Sequence, residues 1–191
     1  MHDKASSIYA VRCVLDASEC ECLLGAAEQA YGLATSRGAA YGEADRAHGR
    51  CECNDERAAA ALWGQTGLED ALRAVLPAEL CGRRLQGLSR RLRLYRYDGA
   101  RCEHFGRHVD GSERADGGVS EFTLLLYLEQ PDAGGQTRFF GSRRGEVVAE
   151  MAAEAGAALV FRHGYDKCLE HESVPVERGV KVVLRSDVVY A

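Results

Sequence analysis

The chain has 191 residues and 46% of them are hydrophobic, which is enough to bury the core of one ordinary domain. Its 24 basic and 29 acidic residues give a formal net charge of −5, which argues against a broad basic surface for nucleic acid or for an anionic membrane. The first residues contain no basic stretch followed by a long apolar run, so neither a secretion signal nor a membrane span is predicted there, and we expect a cytoplasmic protein.

The eight cysteines include two Cys-x-Cys pairs, Cys20/Cys22 and Cys51/Cys53. Without a secretion signal, reduced thiols are expected rather than a disulfide framework. A structural zinc site is the less favoured alternative, because zinc ligands are usually spaced more widely. In addition, residues two apart in a helix point about 200° apart, which places Cys20 and Cys22 poorly for sharing one ion.

The first 82 residues are predicted to form a helical support region with strand edges. Residues 7–15 alternate in polarity and favour a strand. Asp16 and Glu19 then form a capping-box signature, which predicts the start of a first helix. Residues 36–53 are rich in glycine and charge and are predicted to be a long surface loop.

Two further helices are predicted before the chain becomes rich in β-forming residues. Asn54 or Asp55 is expected to cap the second helix, which runs through an alanine-rich stretch to Trp63, a predicted core residue. Thr66 begins the sequence TGLE, another capping-box signature, and the third helix is expected to end near Pro77.

Residues 83–191 contain eight short segments of strand character, which are separated by Gly, Asp or Pro. This density of strands is typical of all-β barrels and sandwiches, and the jelly roll is one member of that class. The predicted fold is therefore mostly β with flanking helices (α+β), in which a jelly-roll core of residues 83–191 rests on the helical region 1–82.

Three residues are candidate metal ligands. His108 and Asp110 lie two positions apart in a strand-like segment, so their side chains would share a face and could hold one ion. His-x-Asp alone is a weak signal, and a solvated strand end beside the glycine-rich loop 111–119 is the alternative. His171, in a later strand-like segment, completes a set of two histidines and one carboxylate. That set, with open positions, is typical of non-haem Fe(II) oxygenases, whereas a structural zinc site would be closed by four protein ligands.

Lys181 follows His171 by ten residues and is a candidate partner for an acidic co-substrate such as 2-oxoglutarate. The distal carboxylate of that acid would need a buried cation, because burying it unpaired is costly. Arg185 has the same strand parity as Lys181 and is a competing cation. A pairing of Arg185 with Asp187, or with another acid near the barrel end, is the favoured interpretation.

Four stretches resemble, in this order, the prolyl 4-hydroxylase-like Fe(II)/2-oxoglutarate-dependent dioxygenases. They are HVD at 108–110, FTLLLYLEQPDAGGQTRFF at 122–140, GAALVF at 156–161 and HESVPVERGVK at 171–181. The resemblance is strong over residues 83–191 and looser before them. It implies a double-stranded β-helix, with His108, Asp110 and His171 as the iron ligands and Lys181 as the 2-oxoglutarate anchor.

The same resemblance implies Fe(II), 2-oxoglutarate and L-ascorbate as cofactors, and hydroxylation of a C–H bond with release of succinate and CO2. A small-molecule or peptidyl substrate and O2 are the expected partners, and no nucleic acid or membrane is expected. Peptidyl proline is the substrate that the family favours, while free amino acids and other small molecules stay open, as does the oligomeric state.

Some residues depart from the family pattern. Phe105 stands where many members have a tyrosine, so Tyr95, Tyr97 or Thr123 are candidates to contact the co-substrate instead. Ser173 stands where glycine is frequent, and the usual tryptophan near the end of the lysine strand is absent.

Two other histidines have ordinary interpretations. His163 is expected to be structural or on the substrate side rather than a ligand. His104 shares strand parity with His108 and is a possible fourth imidazole near the metal, but an exposed or packed side chain is favoured.

Two rival functions remain. One is a non-catalytic or metal-storing β-barrel that binds a ligand or a partner. The other is a cupin-type metal enzyme without 2-oxoglutarate, in which Lys181 would have no purpose.

Overall fold

Three helices occupy the N-terminal part of the chain, and strands make up most of the remainder. The computed structural model describes residues 7–32, 35–37, 44–115, 117–141, 145–164 and 166–191. The helices are α1 (Ala17–Tyr31), α2 (Glu56–Gly64) and α3 (Leu68–Val75). None of these described helices has the length and apolar character needed to cross a membrane.

Sixteen strands are found among the described residues. The strands are β1 (Ile8–Val11), β2 (Thr35–Arg37), β3 (Arg46–Asn54), β4 (Glu79–Leu80), β5 (Arg83–Leu88), β6 (Arg91–Asp98), β7 (His104–His108), β8 (Arg114–Ala115), β9 (Gly118–Glu129), β10 (Ala133–Gly134), β11 (Thr137–Phe140), β12 (Val147–Met151), β13 (Ala158–Arg162), β14 (Glu170–Ser173), β15 (Val176–Arg178) and β16 (Val180–Tyr190).

Fourteen of these strands form one antiparallel sheet that curls into a nearly closed barrel. Its main path runs β1-β13-β9-β16-β6-β3-β7-β14-β11-β12. Strand β3 joins the two faces, because its first residues pair with β7 and residues 49–54 pair with β6. The prediction of a mostly β jelly roll with flanking helices is thus confirmed.

The predicted surface loop 36–53 is wrong over its second half, where Arg46–Asn54 forms β3. The glycine and the many charges of this segment suggest a loop. However, the backbone of residues 49–54 pairs with the neighbouring strand β6, and Glu52 contacts Arg91 of that strand, so the segment forms a strand within the main sheet. Residues 38–43 lie outside the described residues. The N-terminal region 1–82 therefore contributes strands to the main sheet as well as helices.

The helix starts follow the predicted caps in two cases out of three. Asp16 accepts a hydrogen bond from the backbone of Glu19 and forms the predicted capping box, and Asp55 caps α2. The predicted capping box at Thr66 is wrong. Its hydroxyl lies 3.2 Å from the backbone nitrogen of Leu68, one residue short of the capping-box position, and α3 has no side-chain cap.

The helices pack against the outer face of the large sheet. Strand β16 shows why, since its side chains alternate between two apolar clusters. The outward residues Val182 and Leu184 belong to the cluster that includes Trp63 and Leu72 from the helices. The inward residue Val183 belongs to a second, more aromatic cluster inside the barrel. The site described below lies on this inner face.

We predict that Leu72→Ala, in α3, destabilises the fold by about 2–5 kcal/mol, because a fully buried leucine leaves a cavity when truncated. Urea unfolding followed by circular dichroism measures the change. The exposed Arg57→Ala in α2 is the control and should change stability by less than about 0.5 kcal/mol. A Leu72→Ala effect as small as that of Arg57→Ala would show that α3 is not packed on the sheet.

The cysteines fit the expectation of reduced thiols. No disulfide joins any of the eight, all of which lie in the described ranges. Cys20 is buried and Cys22 exposed, so they face opposite sides of α1. Cys51 and Cys53 pack against the apolar cluster beneath the helices. No cysteine belongs to a group of potential metal ligands in the described part of the chain.

Candidate metal centre

Strand pairing brings the three predicted iron ligands together. His108, at the end of β7, lies opposite His171 of β14, and Asp110 follows two residues later. Nε2 of His108 is 3.8 Å from Oδ1 of Asp110, and Nε2 of His171 is 3.6 Å from Oδ2. One ligand atom from each of the three side chains can be chosen so that all lie within 4.8 Å of one another, which is close enough to share one ion.

The backbone fixes which ring nitrogen of each histidine faces the site. Nδ1 of His108 lies 2.8 Å from the carbonyl oxygen of Gly106, and Nδ1 of His171 lies 3.0 Å from that of Leu169. A carbonyl oxygen only accepts, so each Nδ1 donates and each Nε2 keeps its lone pair for a metal. Burial lowers the pKa of His108 to about 3 and also lowers that of His171. Both imidazoles are therefore neutral at physiological pH, as metal binding requires.

Asp110 is buried and held from both sides. Thr123 Oγ1 donates to Oδ2 at 2.8 Å, and Arg185 Nη1 lies 3.0 Å from Oδ1. Burial alone would raise the pKa of Asp110, but Arg185 and the two histidines outweigh it and hold the pKa below its ordinary value. Asp110 is therefore a carboxylate of fixed orientation, and its remaining lone pairs are available to a cation.

The two further histidines considered in the sequence, His163 and His104, lie outside the ligand group. His163 is buried behind Asp110, where Nδ1 is 3.1 Å from Thr123 Oγ1 and Nε2 is 3.0 Å from Ser120 Oγ. Nε2 of His104 lies 3.2 Å from Oδ2 of Asp45, and His104 does not belong to the ligand group. His163 therefore supports the residues that hold Asp110.

Lys181 is buried on the inner face of β16, opposite Tyr97 of β6. Its ammonium donates to the carbonyl of Gly135 at 2.6 Å and to Ser173 Oγ at 2.7 Å. An ammonium has three N–H groups, so with these two acceptors one N–H remains for a bound acid. Burial lowers the pKa of Lys181 to about 7, so the ammonium needs an anionic partner to be fully charged.

Two residues that mark the family pattern shape the surroundings of Lys181. Gly135 has a φ of +75°, and a Cβ there would lie 3.2 Å from the Lys181 side chain, so the position favours glycine. Ser173, where the family often has glycine, supplies one of the two acceptors of the ammonium.

A cavity connects the metal ligands with Lys181. Its lining includes His108, Asp110, His171, Lys181, Tyr95, Tyr97, Phe105, Thr137, Ser173 and Arg185. Of the residues predicted to contact the co-substrate, Tyr95, Tyr97, Lys181 and Arg185 therefore line it. Thr123 instead lies behind Asp110. Phe105, in the position where the family often has tyrosine, stacks on His108 with 3.8 Å between ring centroids.

Arg185 pairs with Asp187 at 3.8 Å, as the sequence suggested, but its shorter contact is with Asp110. The sequence did not reveal this contact, because it depends on how β16 and the segment after β7 meet inside the barrel. Sequence reasoning also missed Arg50 and Arg93, which face the mouth of the site. The signal that could have identified them was the alternation of side chains between the two faces of β3 and β6. In β3 the glycine and the many charges hid this alternation.

The fold matches solved structures over nearly the whole chain. A viral collagen prolyl hydroxylase of Paramecium bursaria Chlorella virus-1, in its 2OG complex, has a TM-score of 0.64 and 15% identity and covers 97% of each chain. A Trichoplax adhaerens prolyl hydroxylase, in complex with a hypoxia inducible factor peptide fragment, has a TM-score of 0.66 and 18% identity, covering 96% of this chain and 84% of that one. This chain has the prolyl hydroxylase fold.

A bacterial structure with this fold is a Pseudomonas putida prolyl-4-hydroxylase, with a TM-score of 0.61 and 19% identity over 97% of this chain and 93% of that chain. The predicted resemblance to 2-oxoglutarate oxygenases is thereby confirmed for the fold. No family model matches the chain. An uncharacterized fowlpox virus protein is 37% identical over 86 residues, which are 45% of this chain and 18% of the viral protein. The matched segment is thus a small part of that relative.

Proposed function

We propose that the protein is an Fe(II)- and 2-oxoglutarate-dependent dioxygenase that hydroxylates a C–H bond and releases succinate and CO2. The observation that carries the proposal is the single cavity that joins an open set of two histidines and one carboxylate to a buried lysine. A metal with three protein ligands keeps positions for a chelating acid and for oxygen. A buried lysine in the lining of the same cavity suits the second carboxylate of that acid.

Each residue has a defined task in this proposal. His108, Asp110 and His171 hold the iron, and the carbonyls behind the histidines keep Nε2 directed at it. Lys181 binds the distal carboxylate of 2-oxoglutarate. Arg185 and Thr123 fix the orientation of Asp110. When bound, iron and 2-oxoglutarate supply the oxidative chemistry, and the buried aromatic residues around them exclude water.

The rival functions do not account for Lys181. A β-barrel that only stores a metal or binds a partner has no need of a buried ammonium beside its ligands, and burying one carries a free-energy cost. A cupin-type enzyme without 2-oxoglutarate has no acid for this lysine to bind. A buried cation in the metal cavity is therefore explained best by a dicarboxylic co-substrate.

For the substrate we propose a prolyl residue of a peptide or protein, with a small molecule as the alternative. Support comes from the fold, which this chain shares with a viral collagen prolyl hydroxylase, a bacterial prolyl-4-hydroxylase and a prolyl hydroxylase in complex with a peptide fragment. L-ascorbate is proposed as the reductant that keeps the iron in the Fe(II) state.

We predict slow formation of succinate from 2-oxoglutarate even without a substrate, dependent on Fe(II) and O2 and stimulated by ascorbate. The physical reason is that iron and keto acid can react whenever oxygen enters the open site. Succinate is measured by mass spectrometry with isotopically labelled 2-oxoglutarate. His108→Ala should abolish the reaction, whereas His104→Ala, on the same strand, should retain it. Intact metal binding without any succinate would favour the non-catalytic rival.

A further inference from the structure

The mouth of the metal site is lined by arginine. A groove of about 390 Å³ opens beside His108 and Asp110, and five guanidinium groups line it, those of Arg46, Arg50, Arg91, Arg93 and Arg185. The described lining contains two carboxylates, Asp110 and Glu113. Because the whole chain has a net charge of −5, this local excess of positive charge is not a general property of the surface.

The pairing of strands explains why the arginines meet. Arg50 of β3 lies opposite Tyr95 of β6, and Arg93 of β6 lies opposite Arg185 of β16. Directly opposed residues point to the same face of a sheet, and so do residues two apart on one strand. Three neighbouring strands therefore project guanidinium groups onto the inner face, next to the metal ligands.

The protein's own acids leave several N–H groups of the groove arginines without an acceptor. Arg50, Arg91 and Arg93 share three carboxylates, those of Glu52, Glu113 and Asp187. Arg93 is 3% exposed, and its Nε and Nη1 atoms have no hydrogen-bond partner among the described residues. Nε of Arg185 is likewise without one in the described part of the chain. Buried guanidinium groups that lack acceptors attract an anion.

Glu113 shows how an added carboxylate would be held. It follows the metal ligand Asp110 by three residues, and its carboxylate contacts Arg91 and lies 3.8 Å from Arg93. Its side chain is 43% exposed, and it lies in the segment between β7 and β8 rather than in a long strand. A carboxylate from outside can therefore take its place without disturbing the barrel.

We infer that the substrate carries a carboxylate, which binds to Arg91 and Arg93 at the groove while the adjacent C–H group faces the metal. This inference rests on the proposed function and narrows it to acidic substrates, either a peptide with Asp or Glu near the target residue or a free acid. Guanidinium forks bind carboxylates in a bidentate manner, which also orients the substrate. A nucleic acid is disfavoured, because its many phosphates would meet a chain of net negative charge.

The test uses the protein loaded anaerobically with Fe(II) and 2-oxoglutarate. Fluorescein-labelled peptide pools that differ in one fixed residue, Glu, Gln or Lys, are titrated and followed by fluorescence anisotropy. We expect the Glu pool to bind at least about tenfold more tightly than the Gln pool, as for a partly exposed charge-assisted contact, and the preference to weaken with added salt. Unlabelled free amino acids and a single-stranded oligonucleotide are added as competitors. Competition by free acids identifies a free acid as the source of the carboxylate.

Variants test whether the side chains of the groove cause the preference for the Glu pool. Arg91→Gln should abolish most of the preference for the Glu pool, and Glu113→Gln should strengthen binding of that pool. Arg73→Gln removes a similarly exposed, ion-paired arginine from α3 and serves as the matched control, with the preference retained. The same pools are then tested for stimulation of succinate release, where Arg91→Gln should raise the KM for an acidic substrate more than it lowers kcat.

Equal binding of the Glu and Gln pools, a preference that survives Arg91→Gln, or tighter binding of the oligonucleotide would each overturn the inference. In these cases the substrate-free succinate reaction of the wild type still proceeds, so the proposed function stands. If that reaction and keto-acid binding are both absent, the proposed function fails, and the inference fails with it.

Discussion

Lys181→Met is expected to weaken 2-oxoglutarate binding by about 10- to 150-fold, because a charge-assisted hydrogen bond contributes roughly 1.5–3 kcal/mol. Methionine keeps the length and apolar stem of lysine in this fully buried position, so the fold should persist. The affinity is measured by isothermal titration of the Fe(II) protein under anaerobic conditions. Fe(II) affinity itself should change much less, because Lys181 lines the cavity but does not belong to the group of potential metal ligands. Lys181→Arg should retain part of the affinity, since guanidinium keeps the charge but has a different shape.

Arg185 provides the comparison that decides which cation is the anchor. It lines the same cavity, but its shorter ion pair is with the proposed metal ligand Asp110, at 3.0 Å. Arg185→Ala should therefore disturb metal binding more than 2-oxoglutarate binding. A larger loss of 2-oxoglutarate affinity in Arg185→Ala than in Lys181→Met would assign the anchor to Arg185. Lys167→Met, at an exposed lysine, is the control and should match the wild type.

The same lysine gives the binding a defined pH dependence. Burial lowers the pKa of Lys181 to about 7, so the ammonium is charged below this pH and loses its proton above it. The bound carboxylate requires the charged form, so 2-oxoglutarate affinity should fall as the pH rises above about 7, by up to about tenfold per pH unit. The histidine ligands do not interfere, since burial lowers the pKa of His108 to about 3. Lys181→Arg should remove the pH dependence, because guanidinium stays charged.

Asp110→Asn is expected to reduce Fe(II) affinity by about a hundredfold or more, because it removes the one charged protein ligand and keeps its shape. It also leaves Arg185 with a neutral partner in place of its carboxylate. Binding is measured with Mn(II) as the probe ion, by loss of the free-ion EPR signal. Glu170→Gln, an exposed acid directly before His171 in the chain, is the matched control and should bind Mn(II) as the wild type does. Equal affinities for the two variants would show that Asp110 is not a ligand.

The parts of the site that sequence could predict depend on local spacing. His108 and Asp110 share a face because side chains alternate along extended chain, and this holds wherever the segment lies. The capping box at Asp16 is similarly local, since it involves residues three apart. The pairing of His108 with His171 is not local. Both segments could be recognised as strands, and the family resemblance predicted that the two histidines bind the same metal.

The parts that sequence could not predict depend on contacts between distant strands. Residues 36–53 were predicted to form a loop because they are rich in glycine and charge. Arg50 and Glu52 pair within β3, but the contact of Glu52 with Arg91 forms only when β3 lies beside β6. The hydrogen bond from Thr123 to Asp110 requires β9 to pass behind the proposed metal ligand. The arginine-lined mouth of the site arises in the same way, from three strands that each contribute a few residues.

The central claim is that one site binds Fe(II) and 2-oxoglutarate together, and anaerobic absorption spectroscopy tests it most directly. Addition of 2-oxoglutarate to the Fe(II)-loaded wild type should produce the weak visible charge-transfer band of a chelated keto acid. The band should be absent in His108→Ala, Asp110→Ala and His171→Ala and retained in His104→Ala. A wild type that binds Fe(II) but shows no band with saturating 2-oxoglutarate, or a normal band in all three ligand variants, would contradict the account.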